Sequence, residues 1–228
     1  MPILCRHKLR DSTLNGIVDL TLPLYADVPV KPGDPRVVID ELRDIATEGY
    51  RLTHLSMGTH TGTHIDAPSH IIEAGDTLNS LSFDVLVGPC CLVNVGGEPG
   101  SSIALEDLII HEDAIRSAGR IVLKSGWAKR WGTQEYYRNS PSITMEVARW
   151  LAGKDVHVKL IGFDMPTPSV KQETDIHKVF LEAGIPIVEC LNLENLIQSY
   201  FEIVVAPLPL RNREGAPCRV IGLLNQSS

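Results

Sequence analysis

One stretch of eleven residues carries four side chains of the kind that bind metal ions. It reads His-Thr-Gly-Thr-His-Ile-Asp-Ala-Pro-Ser-His, with imidazoles at His60, His64 and His70 and a carboxylate at Asp66. Imidazole nitrogens and carboxylate oxygens are donors that Zn²⁺ and Mn²⁺ accept. Unrelated polar side chains on a surface loop are the alternative, but that explanation suits a lone histidine better than four such groups together. The stretch therefore predicts a metal site.

The spacing of these four side chains predicts a bend in the backbone. All lie at even positions, so a strand would place them on one face. A straight strand would, however, separate His60 from His64 by about 13 Å, near the limit for two imidazoles that bind one ion. Gly62 allows the chain to bend between them, because glycine readily adopts the necessary backbone angles. Pro68 ends any strand pairing, so we expect His70 at the beginning of a short helical segment.

The composition indicates an ordinary globular protein that acts on small molecules. The chain has 228 residues, 43% hydrophobic and 21% charged, which suits a single domain over residues 1–228 with a full core. Its formal net charge of −7 argues against nucleic-acid or anionic-membrane binding through bulk electrostatics. No stretch approaches the roughly 18 apolar residues of a membrane span. We therefore expect a small-molecule substrate, with no nucleic-acid or membrane partner.

The cysteines and the first residues favour a cytoplasmic location. Five cysteines without any Cys-x-x-Cys spacing indicate neither a disulfide framework nor a thiolate zinc site. Residues 1–10 include basic side chains but lack the long apolar run of a secretory signal. We therefore expect reduced thiols in a cytoplasmic protein.

Hydrophobic periodicity and turn residues predict a mixed α/β or α+β fold. Short apolar or alternating runs bounded by Gly and Pro indicate strands, and apolar residues at three- to four-residue spacing indicate helices. Pro89 within one predicted strand indicates a sheet edge or a bulge. The predicted strands are 16–24, 36–42, 50–57, 86–95, 119–125, 156–163, 187–191, 200–207 and 218–224, and the predicted helices are 105–118, 144–152 and 174–183.

A histidine and a glutamate in the second half of the chain are further candidate ligands. His177 lies beside the apolar stripe of the helix predicted over 174–183, and Glu189 lies in the apolar strand predicted over 187–191. An ionisable group in an apolar run is costly unless it is paired or bound to a metal. A helix, a reversal and a strand would bring both groups to a common point, although an amphipathic strand could equally present Glu189 to solvent.

The motif His-x-Gly-Thr-His-x-Asp-x-Pro-x-His at residues 60–70 resembles the signature of the cyclase family of metal-dependent hydrolases, which includes bacterial kynurenine formamidases and isatin hydrolase. The resemblance extends from about residue 16 to the C-terminus. Its other segments are Pro32-Gly33-Asp34-Pro35, which borders the active site in the family, Gly126-Trp127, Gly162-Phe163-Asp164 and Gly215-x-Pro217-x-Arg219. The resemblance implies the swivelling β/β/α architecture and, commonly, a homodimer or higher oligomer.

The resemblance also implies roles for the candidate ligands. In family members with two metals, the carboxylates matching Asp66 and Glu189 bridge the ions, and the histidines matching His70 and His177 contribute to the second ion. In single-metal relatives the residue matching Glu189 can be an amide, and the histidine matching His70 acts as the base. The charge of Glu189 therefore favours two Zn²⁺ ions per subunit, with Mn²⁺ as the other candidate. His70 keeps two candidate roles, ligand or general base.

These residues predict a hydrolase that uses a metal-activated water. A metal held by His60, His64 and Asp66 leaves positions open for water, which is typical of a catalytic site. His70 can take the proton of that water and return it to the leaving amine. Trp127 is a candidate wall of the substrate pocket, or else a core residue.

The resemblance favours arylformamidase activity, the conversion of N-formyl-L-kynurenine to kynurenine and formate. One alternative is the opening of a cyclic amide such as isatin, or of another small lactam or ester. The other is a module that binds a ligand through its metal without turnover.

Overall fold

Within the residues that the computed structural model describes, 13–14 and 16–224, seven strands close into a barrel. The strands of the protein are β1 (Thr13–Leu14), β2 (Ile17–Asp19), β3 (Val38–Arg43), β4 (Leu52–Ser56), β5 (His64–Asp66), β6 (Val87–Asn94), β7 (Ser102–Ile103), β8 (Arg120–Lys124), β9 (Ser142–Ile143), β10 (Leu160–Phe163), β11 (Ile187–Glu189), β12 (Tyr200–Pro207) and β13 (Gly215–Leu223). The helices are α1 (Ile45–Glu48), α2 (Phe83–Leu86), α3 (Leu105–Ile109), α4 (Glu112–Ala118), α5 (Met145–Leu151) and α6 (Glu173–Glu182). Short 3₁₀ turns lie at Pro68–His70, Leu78–Ser80, Trp127–Arg130 and Gln134–Tyr137.

The barrel closes because β13 is long enough to pair with two strands along one edge. The strand order is β13, β12, β6, β8, β10, β11 and β5, and β5 then pairs with the first residues of β13. The later residues of β13 pair instead with β2. The pairs within β6, β8, β10 and β11 are parallel, and the other pairs of the barrel are antiparallel. Closure gives β5 a hydrogen-bonded neighbour on each side, which fixes the metal motif in the wall of the barrel.

Alternating side chains divide the apolar core into two parts. In β8, Ile121 and Leu123 belong to one buried cluster, and Val122 between them belongs to the other. The same alternation separates Ile187 from Val188 in β11. The first cluster includes residues of α4, α5 and α6, so it lies between the barrel and the helices, and the second fills the barrel. The parallel strands β6, β8, β10 and β11 contribute to both clusters because successive residues point to opposite faces.

The mixed α/β fold predicted from the sequence is confirmed, since helices α4–α6 pack on a sheet with parallel and antiparallel strands. The prediction of a single helix over 105–118 is wrong. It is two helices, because His111 takes non-helical backbone angles (φ −108°, ψ 11°). Pro89 lies, as predicted, where β6 has one neighbour: it pairs with Glu202, and pairing with β8 begins only at Cys91.

Two predicted strands form a ribbon that projects from the barrel. β3 and β4 pair with each other in antiparallel fashion, with a bulge between Glu41 and Arg43, and neither pairs with another strand in the described part of the chain. Every residue of both strands is exposed. Helix α1 forms the tip, where Asp44 caps the first turn and Gly49 ends it with φ 76°. We call residues 38–56 the arm.

None of the helices in residues 13–14 and 16–224 is long and apolar enough to cross a membrane. The basic residues within positions 1–10, from which the sequence predicts no secretory signal, lie outside the described residues.

The first testable consequence concerns Phe180, which anchors α6 in the core. Phe180 is fully buried, so we expect Phe180→Ala to lower the free energy of unfolding by about 3–5 kcal/mol through the cavity it leaves. Phe83→Ala is the matched control. Phe83 is 83% exposed, and its truncation should change stability by less than about 0.5 kcal/mol. Urea unfolding followed by circular dichroism measures both, and equal effects would contradict this placement of α6.

Candidate metal centre

Strands β5 and β11 bring two distant parts of the sequence together. In their antiparallel pairing Glu189 lies directly opposite His64, and Ile187 lies opposite Asp66. Ile65 belongs to the cluster inside the barrel, so the flanking His64 and Asp66 share the opposite face. His64 Nε2 lies 3.3 Å from Asp66 Oδ1 and 3.4 Å from Glu189 Oε2. Glu189 thus joins the first motif through strand register.

The bend at Gly62 brings His60 to the same point. Gly62 has φ +66°, and an added Cβ would lie 2.7 Å from Leu24 Cδ2, so the position favours glycine. His60 precedes the bend, and its Nδ1 lies 2.7 Å from Asp66 Oδ1. The Nδ1–H of His64 donates to the Gly62 carbonyl at 2.8 Å, which fixes the ring and leaves Nε2 for the site.

His70 follows the strand on the 3₁₀ turn that begins at Pro68. Its ring centroid lies 4.2 Å from that of His60 and 5.7 Å from that of His177. Burial lowers the pKa of His70 to about 4, because it outweighs the attraction of Asp66 for the protonated ring. The ring is therefore neutral at pH 7 and can either accept a proton or bind a cation.

Helix α6 supplies His177 from the outer side of the barrel. The Nδ1–H of His177 donates to the Glu173 carbonyl one turn earlier at 2.8 Å. Its Nε2 lies 3.1 Å from Glu189 Oε1 and 3.4 Å from Asp66 Oδ2. Burial opposes a charge on this ring, but the two carboxylates outweigh burial and raise the pKa of His177 to about 11. The hydrogen bond to Glu173 orients the ring so that Nε2 faces both carboxylates.

Strand β13 supports the site at its closest point. An added Cβ at Gly215 would lie 2.6 Å from the Ile65 carbonyl oxygen and 2.9 Å from His60 Cε1. Only glycine therefore allows β13 to approach the His60 ring so closely. The preceding Glu214 accepts a hydrogen bond from Thr59 Oγ1 at 2.7 Å, and its Oε1 lies 3.5 Å from His60 Nε2. No sequence pattern marked Glu214 as a site residue, although it directly precedes a glycine of the C-terminal motif.

The donor set fits a divalent cation. The buried atoms His60 Nε2, Asp66 Oδ2 and Glu189 Oε1 make no well-aligned hydrogen bond within the described part of the chain, although His177 Nε2 lies near both carboxylate atoms. Burial and the charge of Asp66 raise the pKa of Glu189, as expected for two carboxylates that repel each other in an apolar interior. Unpaired polar atoms in such a place are costly, and a cation that binds them removes this cost.

The ligand atoms form two overlapping groups, in each of which all atoms lie within 4.8 Å of one another. The groups are His60, His64 and Asp66, and Asp66, His70 and His177. Asp66 belongs to both groups. The structure thus brings all the residues predicted as ligands to one place, with Glu189 opposite His64.

The candidate ligands line a cavity of about 110 Å³ that other side chains also reach. Asp34 belongs to the segment 32–35, which resembles one that borders the active site in the family, and Lys31 directly precedes this segment. Glu173 and Tyr137 were not predicted as site residues. Glu173 had a signal, because it lies one helical turn before His177 and so on the same face. Tyr137 had none. The remaining lining residues are Lys31, Asp34, Tyr137, Pro166, Glu173 and Cys190.

Trp127 lies in the core and not among the residues that line this cavity. It is completely buried, and its Nε1–H donates to the Tyr136 carbonyl at 2.9 Å. Of the two alternatives that the sequence left open, the structure therefore places Trp127 in the core, where it anchors the turn that carries Tyr137. Asp164 fixes the same region, because its carboxylate accepts hydrogen bonds from the backbone N–H and the hydroxyl of Ser125 at 3.0 and 2.6 Å.

Sequence comparisons relate the chain to one family. The family model with the description "Putative cyclase" matches residues 18–170. The kynurenine formamidase of Geobacillus thermodenitrificans (strain NG80-2) is 29% identical over 210 residues, which cover 90% of this chain and 96% of that protein. The kynurenine formamidase of Maricaulis maris (strain MCS10) is 29% identical over 206 residues, 89% of this chain and 95% of that protein.

Solved structures share the fold. A structure described as a potential metal-dependent hydrolase with cyclase activity has a TM-score of 0.76 and 28% identity, and the match covers 92% of this chain and 98% of that chain. Isatin hydrolase A from Labrenzia aggregata, bound to benzyl benzoate, has a TM-score of 0.79 and 24% identity over 92% of this chain and 94% of that chain. At this identity the second likeness concerns the fold alone. The architecture that the resemblance implied is therefore confirmed.

The second testable consequence concerns Gly215. We expect Gly215→Ala to displace the His60 ring and to weaken divalent-metal affinity by about 10-fold or more, as loss of support around a ligand does. Gly222→Ala is the matched control on the same strand. Its Cβ would meet only side chains of Phe201 and Leu20, at 3.3–3.4 Å, so metal affinity should stay unchanged. Titration of metal-free protein with Zn²⁺ measures both, and equal affinities would contradict the role of Gly215.

Proposed function

The chain belongs to the cyclase family, and from this we propose that it is a metal-dependent hydrolase that cleaves the formyl C–N bond of N-formyl-L-kynurenine. Water is the second substrate, and formate and kynurenine are the products. The kynurenine formamidases described above match this chain over nearly their whole length, which supports the proposal. The observation that carries it is the convergence of six candidate ligands on one cavity: His60, His64, Asp66, His70, His177 and Glu189.

The cofactor that we propose is Zn²⁺, two ions per subunit, with Mn²⁺ as the alternative. Nitrogen and oxygen donors suit both ions. Two groups of ligand atoms that share Asp66 support two ions, and Glu189 supplies a second carboxylate to balance their charge. When bound, a divalent ion of this kind supplies Lewis acidity and lowers the pKa of water towards neutrality.

His70 is the proposed proton carrier. Burial lowers the pKa of His70 and keeps its ring neutral, so a ring nitrogen is free to accept the proton of the attacking water. The protonated ring then gives this proton to the aniline nitrogen as the C–N bond breaks. The alternative role, a ligand of the second ion, is supported by the short distances of His70 to Asp66 and His177.

The charged residues of the cavity favour a substrate that carries an amino-acid group. Lys31 forms an ion pair with Glu173, and Asp34 lines the same cavity. Although burial opposes it, the bond to Glu173 raises the pKa of Lys31, so the side chain is a cation. N-formyl-L-kynurenine has an α-carboxylate for Lys31 and an α-ammonium for Asp34 or Glu173. Isatin carries neither group and offers no ionic partner to these residues.

Two other functions remain as alternatives to arylformamidase activity. The opening of a cyclic amide or of another small lactam or ester is favoured by the fold that the chain shares with isatin hydrolase A. A module that binds a ligand through its metal without turnover is the non-enzymatic alternative. His70 argues against the module, because a site that only binds would not need a neutral base beside its ligands.

We further propose a cytoplasmic homo-oligomer without nucleic-acid or membrane partners, whose kynurenine product belongs to tryptophan catabolism. The four described cysteines are free and buried, which suits a reducing compartment. A net charge of −7 does not favour anionic partners.

Metal analysis and hydrolysis assays test the function. Purified protein should hold divalent metal and release formate from N-formyl-L-kynurenine faster than it opens isatin. His60→Ala and His64→Ala should each lose metal. Faster opening of isatin would favour the cyclic-amide alternative. Metal-loaded protein that hydrolyses no amide, lactam or ester would contradict the enzyme and favour the binding module.

The third testable consequence separates the two roles of His70. We expect His70→Ala to lower kcat by about 100-fold or more, as removal of a general base does. Metal content measured on the same protein decides between the roles, because a ligand variant would lose one ion per subunit and a base variant would keep both. Turnover that survives the substitution undiminished would exclude a catalytic role for His70.

The fourth testable consequence concerns substrate charge. We expect Lys31→Met to raise KM for N-formyl-L-kynurenine about 10-fold through the loss of one ionic contact, and to leave KM for N-formylaniline, which has no carboxylate, within about twofold. Lys178→Met is the matched control, since Lys178 pairs with Glu182 on α6 and does not line the cavity. Equal changes for both substrates would refute the proposed contact between Lys31 and the carboxylate.

A further inference from the structure

We infer that a second cavity, at the start of helix α6, binds a phosphate group. This cavity has a volume of about 160 Å³ and is lined by residues within three segments, 100–102, 138–144 and 169–172. We call it the serine cavity. It shares no lining residue with the cavity at the metal centre, so the inference goes beyond the proposed hydrolase function and does not depend on it.

Ser140 is a buried hydroxyl without a partner in the wall of the serine cavity. It is 2% exposed, and its Oγ makes no hydrogen bond within the described part of the chain. Burial of a hydroxyl without a hydrogen bond is unfavourable. A ligand oxygen that accepts the proton of this hydroxyl removes the penalty.

Other hydroxyls of the serine cavity are held so that they can donate. Ser142 Oγ accepts the backbone N–H of Val170, and Ser169 Oγ accepts that of Gln172, both at 3.2 Å. An accepting hydroxyl still has its own proton to donate. The remaining hydroxyl-bearing residues of the lining are Ser101, Ser102 and Thr144. The cavity therefore offers hydrogen-bond donors on all three of its segments.

The charged side chains that line the serine cavity are both cations, Arg138 and Lys171, and none of its described lining residues is acidic. Neither cation forms an ion pair within residues 13–14 and 16–224. This lining contrasts with the chain as a whole, whose net charge is −7. Guanidinium and ammonium groups bind phosphate through charge-assisted hydrogen bonds. The charges therefore select an anion.

Helix α6 adds to this preference. Residues 169–172 directly precede the helix, and Gln172 at its N-terminal boundary makes no side-chain capping hydrogen bond. A helix N-terminus attracts anions through its free N–H groups and its partial positive charge. Glu173, the first residue of α6, lines the other cavity, where it pairs with Lys31.

The arrangement of the donors favours a phosphate group over a carboxylate. A phosphate group has at least three acceptor oxygens that do not lie in one plane, whereas a carboxylate has two. Because the donors of the serine cavity come from three segments, more than two acceptor oxygens can find partners. One water molecule occupies roughly 30 Å³ of liquid, so the cavity admits a phosphate group together with some water. Water alone is the alternative occupant.

Calorimetric titration with inorganic phosphate at constant ionic strength tests the inference. The wild type should bind phosphate saturably and acetate at least about 10-fold more weakly, and Ser140→Ala should weaken phosphate binding at least about 10-fold through the loss of one hydrogen bond to a charged group. Thr167→Val is the matched control. Thr167 is 6% exposed and its hydroxyl also makes no hydrogen bond within the described residues, but it does not line the serine cavity, so phosphate affinity should stay unchanged.

Two results of this titration would overturn the inference. The first is the absence of saturable phosphate binding, which is expected if water alone fills the serine cavity. The second is a folded Ser140→Ala variant that binds phosphate as tightly as the wild type, because the phosphate would then lie elsewhere, for example at the metal centre. Since the Ser140 hydroxyl has no partner to lose, we expect this variant to unfold at no lower temperature than the wild type in the absence of phosphate.

A surface substitution provides a second test. Lys171→Met should weaken phosphate binding at least about 5-fold at low ionic strength, whereas Lys178→Met should leave it unchanged, because Lys178 pairs with Glu182 and does not line the serine cavity. Equal affinities for both variants would contradict the site. Comparison of inorganic phosphate with glycerol 3-phosphate then shows whether the free anion or the phosphate group of a larger molecule binds more tightly. None of these measurements uses enzyme activity, so their outcome is separate from that of the proposed function.

Discussion

The pairing of β5 with β11 is the interaction on which the site depends. It places His64 opposite Glu189 and, because Ile65 and Val188 point into the barrel, it turns the ionisable groups of both strands towards α6. Pairing of β5 with β13 on its other side completes the wall. A shift of one residue in either register would exchange the two faces of β5, moving its ligands into the apolar barrel and Ile65 out of it. The energy of the apolar core therefore enforces the geometry of the polar site.

The protein holds this polar cluster in place by distributing charge around it. Burial raises the cost of ionising Asp66, but His64, His177 and His60 outweigh burial and hold the pKa of that carboxyl well below its usual range. The ionised form of Glu189 is stabilised less, since burial and the neighbouring Asp66 both raise its pKa. The ionised form of Asp66 is thus stabilised by its surroundings more than that of Glu189. A cation is the natural partner for the second, and its binding would release the protons that the histidines hold in its absence.

Local features of the sequence predicted the first half of the site well, because their geometry is set over a few residues. The bend at Gly62 and the turn at Pro68 follow from backbone chemistry alone. His177 and Glu189 were candidates on the same grounds, but their meeting with His64 depends on the register of β11, which no local pattern encodes. Barrel closure escaped prediction for the same reason. Trp127 was a candidate for the pocket wall because it follows a glycine in a predicted turn, but the structure buries it in the core. The local sequence does not reveal which way such a side chain points.

The chain segments at the two ends of the arm connect it directly to the metal centre. The chain leaves the cavity at Asp34, enters the arm at residue 38 and returns to the metal motif four residues after the arm ends. At this junction an added Cβ on Gly58 would lie 3.6 Å from Pro35 Cδ and 3.4 Å from Thr61 Oγ1. The chain segments just before and just after the arm therefore pack against each other. A contact that orders the arm therefore also restricts the loop of Asp34 and the segment of His60. Ordering these segments once lowers the entropic cost of ordering them again for a ligand. An ordered arm therefore favours binding at the cavity, and by linkage binding at the cavity favours an ordered arm.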